Sequence, residues 1–292
     1  MTGVVATSLA NVLSVARLTL REALRRRLLW ALVGLTVAIV AITGWGFQRI
    51  AELSPIGGSQ ELLGLSQLLV MIAFMFSFVL AMTAVFAGGP AIAEEIESGQ
   101  ALALLARPLR RGELLLGKWV GLALVLVAYA FAAGLAEVGV VAAVTSYAPQ
   151  DPLGAAGFLA AEGLVLLTLA LVFSTRIGPV AGGAIAVVLF GLEWMAGIMA
   201  GVGEILNNDG LRAIGPISRL ILPSDVLWRG AMFGLEPPAD LLAAAGGPGA
   251  AVFRVSPFFA AAPPDAIWLG WAIAWVVLAL GGAVLLLRRR EL

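Results

Sequence analysis

The chain has 292 residues, of which 61% are hydrophobic and only 12% charged, with a formal net charge of zero and a mean hydropathy of +1.02. Soluble domains run at about 45–50% apolar and about 25% charged, so this composition belongs to a chain whose solvent is lipid. The absence of Cys and His removes disulfides, thiolate chemistry and the commonest general base and metal ligand.

Residues 8–27 predict an amphipathic helix. Leu9, Leu13, Ala16, Leu20 and Leu24 recur on one face, and Arg17, Arg21 and Arg25 follow at i, i+4 and i+8 on another. Such a helix lies in the membrane interface with its arginines reaching lipid phosphates. No cleavable signal is expected, because the basic residues do not precede a short apolar core at the extreme N-terminus.

Crossing the hydrocarbon takes about 20 apolar residues in a helix. Six runs qualify: 28–47, 62–88, 114–146, 154–174, 178–202 and 266–287. The loops at one side hold Arg17, Arg21, Arg25, Arg26, Arg27, Arg107, Arg110, Arg111, Lys118, Arg176 and Arg288–Arg290. The positive-inside rule then puts both termini in the cytoplasm and makes the protein a multi-pass chain of the plasma (inner) membrane. The segment 203–265 becomes a long extracytoplasmic loop, and its piece SRLILPSDVLWRGAMFGL predicts a short helix on the outer leaflet or capping the bundle.

Gly112 to Lys118 reads G-x-x-x-x-G-K, the opening of a phosphate-binding loop. Its context is wrong: Trp119 stands where Ser or Thr should hold magnesium, and no strand precedes it. The stretch reads instead as the start of the third span, with Lys118 snorkelling outward to the headgroups. Before it, Glu94, Glu95 and Glu97 follow the second span, Ser98-Gly99 breaks the run, and Leu102, Leu104 and Leu105 form a short apolar helix outside the bilayer. Apolar residues rimmed by charge suit docking into a partner's groove.

The stretch EEIESGQALALLARPLRRGELLLGKWVG resembles the first cytoplasmic loop of ABC-2 type transporter permeases. Glu95, Glu97, Gly99, Leu104, Leu105, Pro108, Arg111, Glu113, Gly117 and Lys118 follow that pattern in order; Gln100 and Gly112 depart from it. The resemblance implies an all-α membrane protein: one permease domain over 1–292, an N-terminal elbow helix at 8–27, spans one to five over 28–202, and span six at 266–287. It makes the loop 89–113 the coupling helix that docks on an ATPase, with Glu94, Glu95, Glu97, Gly99, Leu102, Leu105, Arg107, Pro108, Arg110, Arg111 and Glu113 as contacts. It further implies separate ATPase subunits that bind ATP and Mg2+, while this chain binds no cofactor, metal or nucleic acid and is not catalytic by itself. A second copy or a related permease would complete a dimer that exports a substrate or serves an extracytoplasmic protein in its maturation.

Three carboxylates, Glu137, Glu162 and Glu193, fall inside apolar spans. Ionisable groups at membrane depth are costly and mark a substrate path, a gate or a buried partner. They also keep open a proton-coupled secondary transporter. Gly178, Gly182, Gly183 and Gly191 fit close helix packing, and Trp45, Trp194, Trp268, Trp271 and Trp275 fit interface anchors or bundle contacts.

Overall fold

The computed structural model describes residues 2–25, 27–53, 59–97, 109–145, 147–237, 258–260 and 262–289. Among these residues there are ten helices and no strand. In chain order they are α1 (Thr2–Arg25), α2 (Arg27–Leu53), α3 (Ser59–Gly88), α4 (Pro90–Glu97) and α5 (Arg111–Thr145). They continue with α6 (Pro152–Ser174), α7 (Pro179–Ile205), α8 (Asp209–Ile221), α9 (Ser224–Leu235) and α10 (Ala266–Arg288). Six of them are long and apolar enough to cross a membrane: α2, α3 running on into α4, α5, α6, α7 and α10. These are the six expected runs.

The helix ends follow local chemistry. Asp151 caps α6 by accepting from the Gly154 N–H at 2.8 Å, and Pro152 fills the first helical position, where a missing N–H costs nothing. The four-residue turn after Ser174 ends at Pro179, which starts α7. Asn208 caps α8 by accepting from the Leu211 N–H at 3.1 Å.

Burial sorts the spans. The α6 window is 67% buried, against 17% for α2 and 11% for α10. A helix apolar on every side belongs in the middle of a bundle, and α6 packs against α3, α5, α9 and α10. Its Leu159, Val165 and Leu166 join Leu69, Val70, Leu80, Leu126, Trp228 and Met232 in the main core. A smaller core at the other end joins Val15, Ile92, Leu115, Leu171, Ala283 and Leu287. That second core brings α1, α4, the start of α5 and the end of α10 to one end of the molecule, as an even number of spans requires. The α8–α9 hairpin occupies the opposite end. It is larger than the single short helix expected for the 203–265 loop.

α1 is three-faced. Val15, Ala16 and Thr19 are buried against α5, Arg17, Arg21 and Arg25 are exposed, and Leu9 (60%), Leu13 (48%) and Leu24 (48%) are exposed on a third face. The leucine stripe therefore faces away from the bundle, and a narrower small-residue face makes the protein contact.

Candidate functional site

The glycine–lysine stretch is a packing device. A Cβ on Gly117 would stand 2.5 Å from Val15 Cβ, and one on Gly121 would stand 2.7 Å from the Ala16 carbonyl oxygen. Both glycines let α1 lie directly on α5, the close approach that small residues permit between membrane helices. A Cβ on Gly112 would meet Val284 of α10 at 3.2 Å. Lys118 does not snorkel to the headgroups. It is 8% exposed, and its Nζ pairs with Glu95 Oε1 of α4 at 2.5 Å.

The two carboxyl-terminal members of the charged stretch also turn inward. Glu113 is 6% exposed; its Oε2 accepts from Asn11 Nδ2 at 2.9 Å and from the Arg110 N–H at 3.1 Å. One carboxylate thus closes the first turn of α5 and fastens α1 to it. Arg111 donates to the carbonyls of Leu287 (3.0 Å) and Arg288 (3.3 Å), covering the open C-terminal end of α10. Glu94, Glu97 and Arg110 stay exposed. Gly99, Leu102, Leu105, Arg107 and Pro108 lie outside the described residues.

α4 is fixed at its start as well. Gly89 bends the chain where any Cβ would sit 3.1 Å from Val85 O and 3.2 Å from Pro179 O. The Ile92 N–H, one of the free donors of a helix start, is taken by Ser174 Oγ at 3.1 Å.

The three intramembrane carboxylates are all buried: Glu137 6%, Glu162 2% and Glu193 4% exposed. Glu162 on α6 accepts from Ser77 Oγ of α3 at 2.8 Å. Glu193 on α7 accepts from Ser224 Oγ and from the Asp225 N–H, each at 2.6 Å, so it closes the N-terminal end of α9. Asp225, next in line, accepts from Arg219 Nε at 2.8 Å and Arg229 Nε at 3.0 Å. Arg229 also reaches the Gly197 carbonyl at 3.4 Å. The last carbonyls of α8 are met from α10: Trp271 Nε1 donates to Arg219 O at 3.2 Å and Trp275 Nε1 to Ile221 O at 2.9 Å. The hairpin turn is thereby held by α7 on one side and α10 on the other. Glu137 stands apart, beside a small cavity of about 20 Å3 between α3, α5 and α6.

Glu236 closes the far end. It is 1% exposed, and its Oε1 accepts from the Ala260 N–H at 2.7 Å. Burial pushes its carboxyl up to about 8. Tyr147 beside it donates to Leu235 O at 2.8 Å, and burial raises its phenol too. Sequence reading passed over Glu236, Ser174, Arg219 and Asp225, since nothing in their spacing announces partners on distant helices. The tryptophans expected as anchors divide: Trp45 is 62% exposed, Trp194 stacks on Phe74 with centroids 4.9 Å apart, and Trp271 and Trp275 act as donors. Of the expected packing glycines, Gly182 and Gly183 are close to Phe173 and Val85, while Gly191 has nothing within 4 Å.

A six-span helical bundle with an N-terminal helix laid across its third span, and with α4 and the start of α5 at the end where α1 meets the end of α10, defines a polytopic membrane protein. The sequence pattern of the ABC-2 family transporter protein matches residues 13–292. The chain belongs to that family: it is an integral membrane protein and the permease subunit of an ABC transporter. It is similar to a probable ABC transporter permease protein, NosY, of Pseudomonas aeruginosa (strain PAO1), at 30% identity over 96% of this chain and 99% of that protein.

Proposed function

We propose that the subunit is the membrane half of an ATP-driven exporter of the plasma (inner) membrane, dimeric with a second copy or a related permease. A separate ATPase, holding ATP and Mg2+, docks at the α4 end and drives the spans; at the α8–α9 end a substrate leaves or an extracytoplasmic protein is served. The termini, α4 and the loop 98–108 face the cytoplasm. This orientation is supported by exposed Arg17, Arg21, Arg25, Arg110, Arg288 and Arg289 at one end and by the bias of basic residues toward that side.

The observation that carries the reading is the mounting of α4. Its Glu95 is tied to Lys118 of span three and its Ile92 to Ser174 of span four, while Glu94 and Glu97 are exposed. A docking element must be rigidly joined to what it moves and open on the side it presents. The test is affinity purification in mild detergent from native cells. A near-stoichiometric ATPase is expected, and charge reversal of Glu94 and Glu97 to Arg should reduce its recovery while membrane insertion stays normal. A chain that purifies alone would overturn the reading in favour of a proton-coupled carrier, for which the buried carboxylates Glu162 and Glu193 are the specific support.

A further inference from the structure

A hollow of about 620 Å3 opens on the side of the bundle between α6 and α10. Its wall on α6 carries Gly154, Gly157 and Ala161, and its wall on α10 carries Ala272 and Val276. The hollow lies where Gly154, Gly157, Ala161 and Ala272 hold little or no side chain. Trp119 of α5 lines it too, and its indole N–H is already committed to Thr168 Oγ1 at 2.9 Å. Every side chain that lines the hollow is apolar or absent, so a water inside would lack the two to four polar partners it needs.

The hollow also has a direction. The α6 wall runs from Gly154, two residues inside the helix start, to Val165. Eleven steps at about 1.5 Å give roughly 16 Å, which is about half of the ~30 Å hydrocarbon thickness. Its outer rim is formed by Ile273 and Val277, 70% and 63% exposed, on the span that the rest of the protein covers least. Volumes of about 300–1,000 Å3 are those of ordinary ligand sites, and a dry space of this size facing lipid does not stay empty.

We infer that this hollow is a binding site for one acyl chain of a phospholipid in the leaflet at the α8–α9 end. The chain enters beside Gly154 and Leu269 and ends near Trp119 and Leu164. It packs between spans four and six where Gly154, Gly157, Ala161 and Ala272 leave room. The site fits a straight, uncharged chain, and the lining offers no charged group to select a headgroup.

The test uses the purified chain in nanodiscs made with a phosphatidylcholine that carries a diazirine midway along one acyl chain, with adducts mapped by mass spectrometry after illumination. Adducts at Ala161, Leu164 and Val276 should exceed those at Leu278 and Leu285, which are 65% and 57% exposed on the same span and report ordinary contact with bulk lipid. Ala161→Phe should lower the hollow adducts several-fold and leave Leu278 labelling unchanged. Gly157→Leu should do the same; a Cβ there meets only Phe131 Cζ at 3.8 Å, an ordinary contact, so one of the two variants will assemble. Equal labelling of hollow and outer face, insensitive to both substitutions, would overturn the site. A diazirine-bearing free fatty acid that labels the hollow when the phospholipid does not would replace the phospholipid by a single-chain amphiphile and refute the source. Disulfide-linked dimers of Ala161→Cys, in a chain with no other Cys, would put a second protein copy in the hollow and refute the chain.

Discussion

Replacing Glu193 separates a hydrogen-bonding role from a charge role. Its two carboxylate oxygens accept from Ser224 Oγ and from the Asp225 N–H, both at 2.6 Å, in a site only 4% exposed. Glu193→Ala removes both acceptors and leaves two donors in a place that water does not reach. Hydrogen bonds between membrane helices average about 0.6 kcal/mol, with a maximum near 1.7, but an orphaned buried donor costs about 1–3 kcal/mol. The orphan cost governs here, and the missing side chain adds a void. The expected loss is about 3 kcal/mol, against less than about 1 kcal/mol for Glu193→Gln, whose amide oxygen still accepts from Asp225 N–H and whose NH2 can donate to Ser224 Oγ. The assay is thermal unfolding in mild detergent, read by reaction of a thiol dye with Met232→Cys, a position 1% exposed on α9. A change near 3 kcal/mol should lower the midpoint by about 6–12 °C for a chain of this size. If Gln proves as damaging as Ala, the ionised carboxylate matters for its charge, and the capping account of Glu193 fails.

Gly117→Leu should cost at least about 2 kcal/mol through overpacking and detach α1, seen as faster proteolysis near residue 25; Gly191→Leu, where nothing stands within 4 Å, should stay within about 0.5 kcal/mol. Lys118→Met removes the Lys118 partner of Glu95 and should be destabilising, while the pair Lys118→Met with Glu95→Gln should recover most of the loss in a double-mutant cycle. Glu236 keeps its proton in the folded state up to about pH 8 but loses it near the ordinary value of 4.5 when unfolded. Stability therefore falls as pH rises through that window, by at most about 1.4 kcal/mol per pH unit, and is constant on either side. Glu236→Gln should flatten the pH dependence of the unfolding midpoint; an unchanged slope would remove Glu236 as its source.

The spans were legible because length and hydrophobicity are local quantities. The runs 62–88 and 154–174 end at Gly88 and Ser174, where α3 and α6 end. Span three begins at Arg111 rather than 114 because its first charges, Arg111 and Glu113, are satisfied by α10 and α1, which no local pattern reveals. The same reason hid the partner of Lys118: Glu95 is 23 positions away along the chain and lies on a different helix. Leu9, Leu13 and Leu24 read as the apolar face of an interfacial helix, and they are exposed; which residues of that helix meet the protein was not legible, because hydrophobicity does not tell lipid from protein. Gly117, which with Gly121 marks the protein contact, read more loudly as part of a nucleotide loop. The hairpin was visible only as a semi-apolar piece, since the groups that fix it, Glu193, Trp271 and Trp275, sit on two spans far apart in sequence.

The mounting of α4 has a mechanical consequence. α4 continues the second span, but the bend at Gly89 separates the two helices, and its firm attachments run sideways to Lys118 and Ser174. On the proposed docking, a push arriving at Glu97 would therefore not be delivered down the axis of span two. It would be shared between span three, which carries α1 on its back through Gly117 and Gly121, and span four, which lies at the centre of the bundle. A tilt of α4 would carry α1 and the central helix together, which would make the N-terminal helix part of the moving body and not a fixed float against which the spans turn.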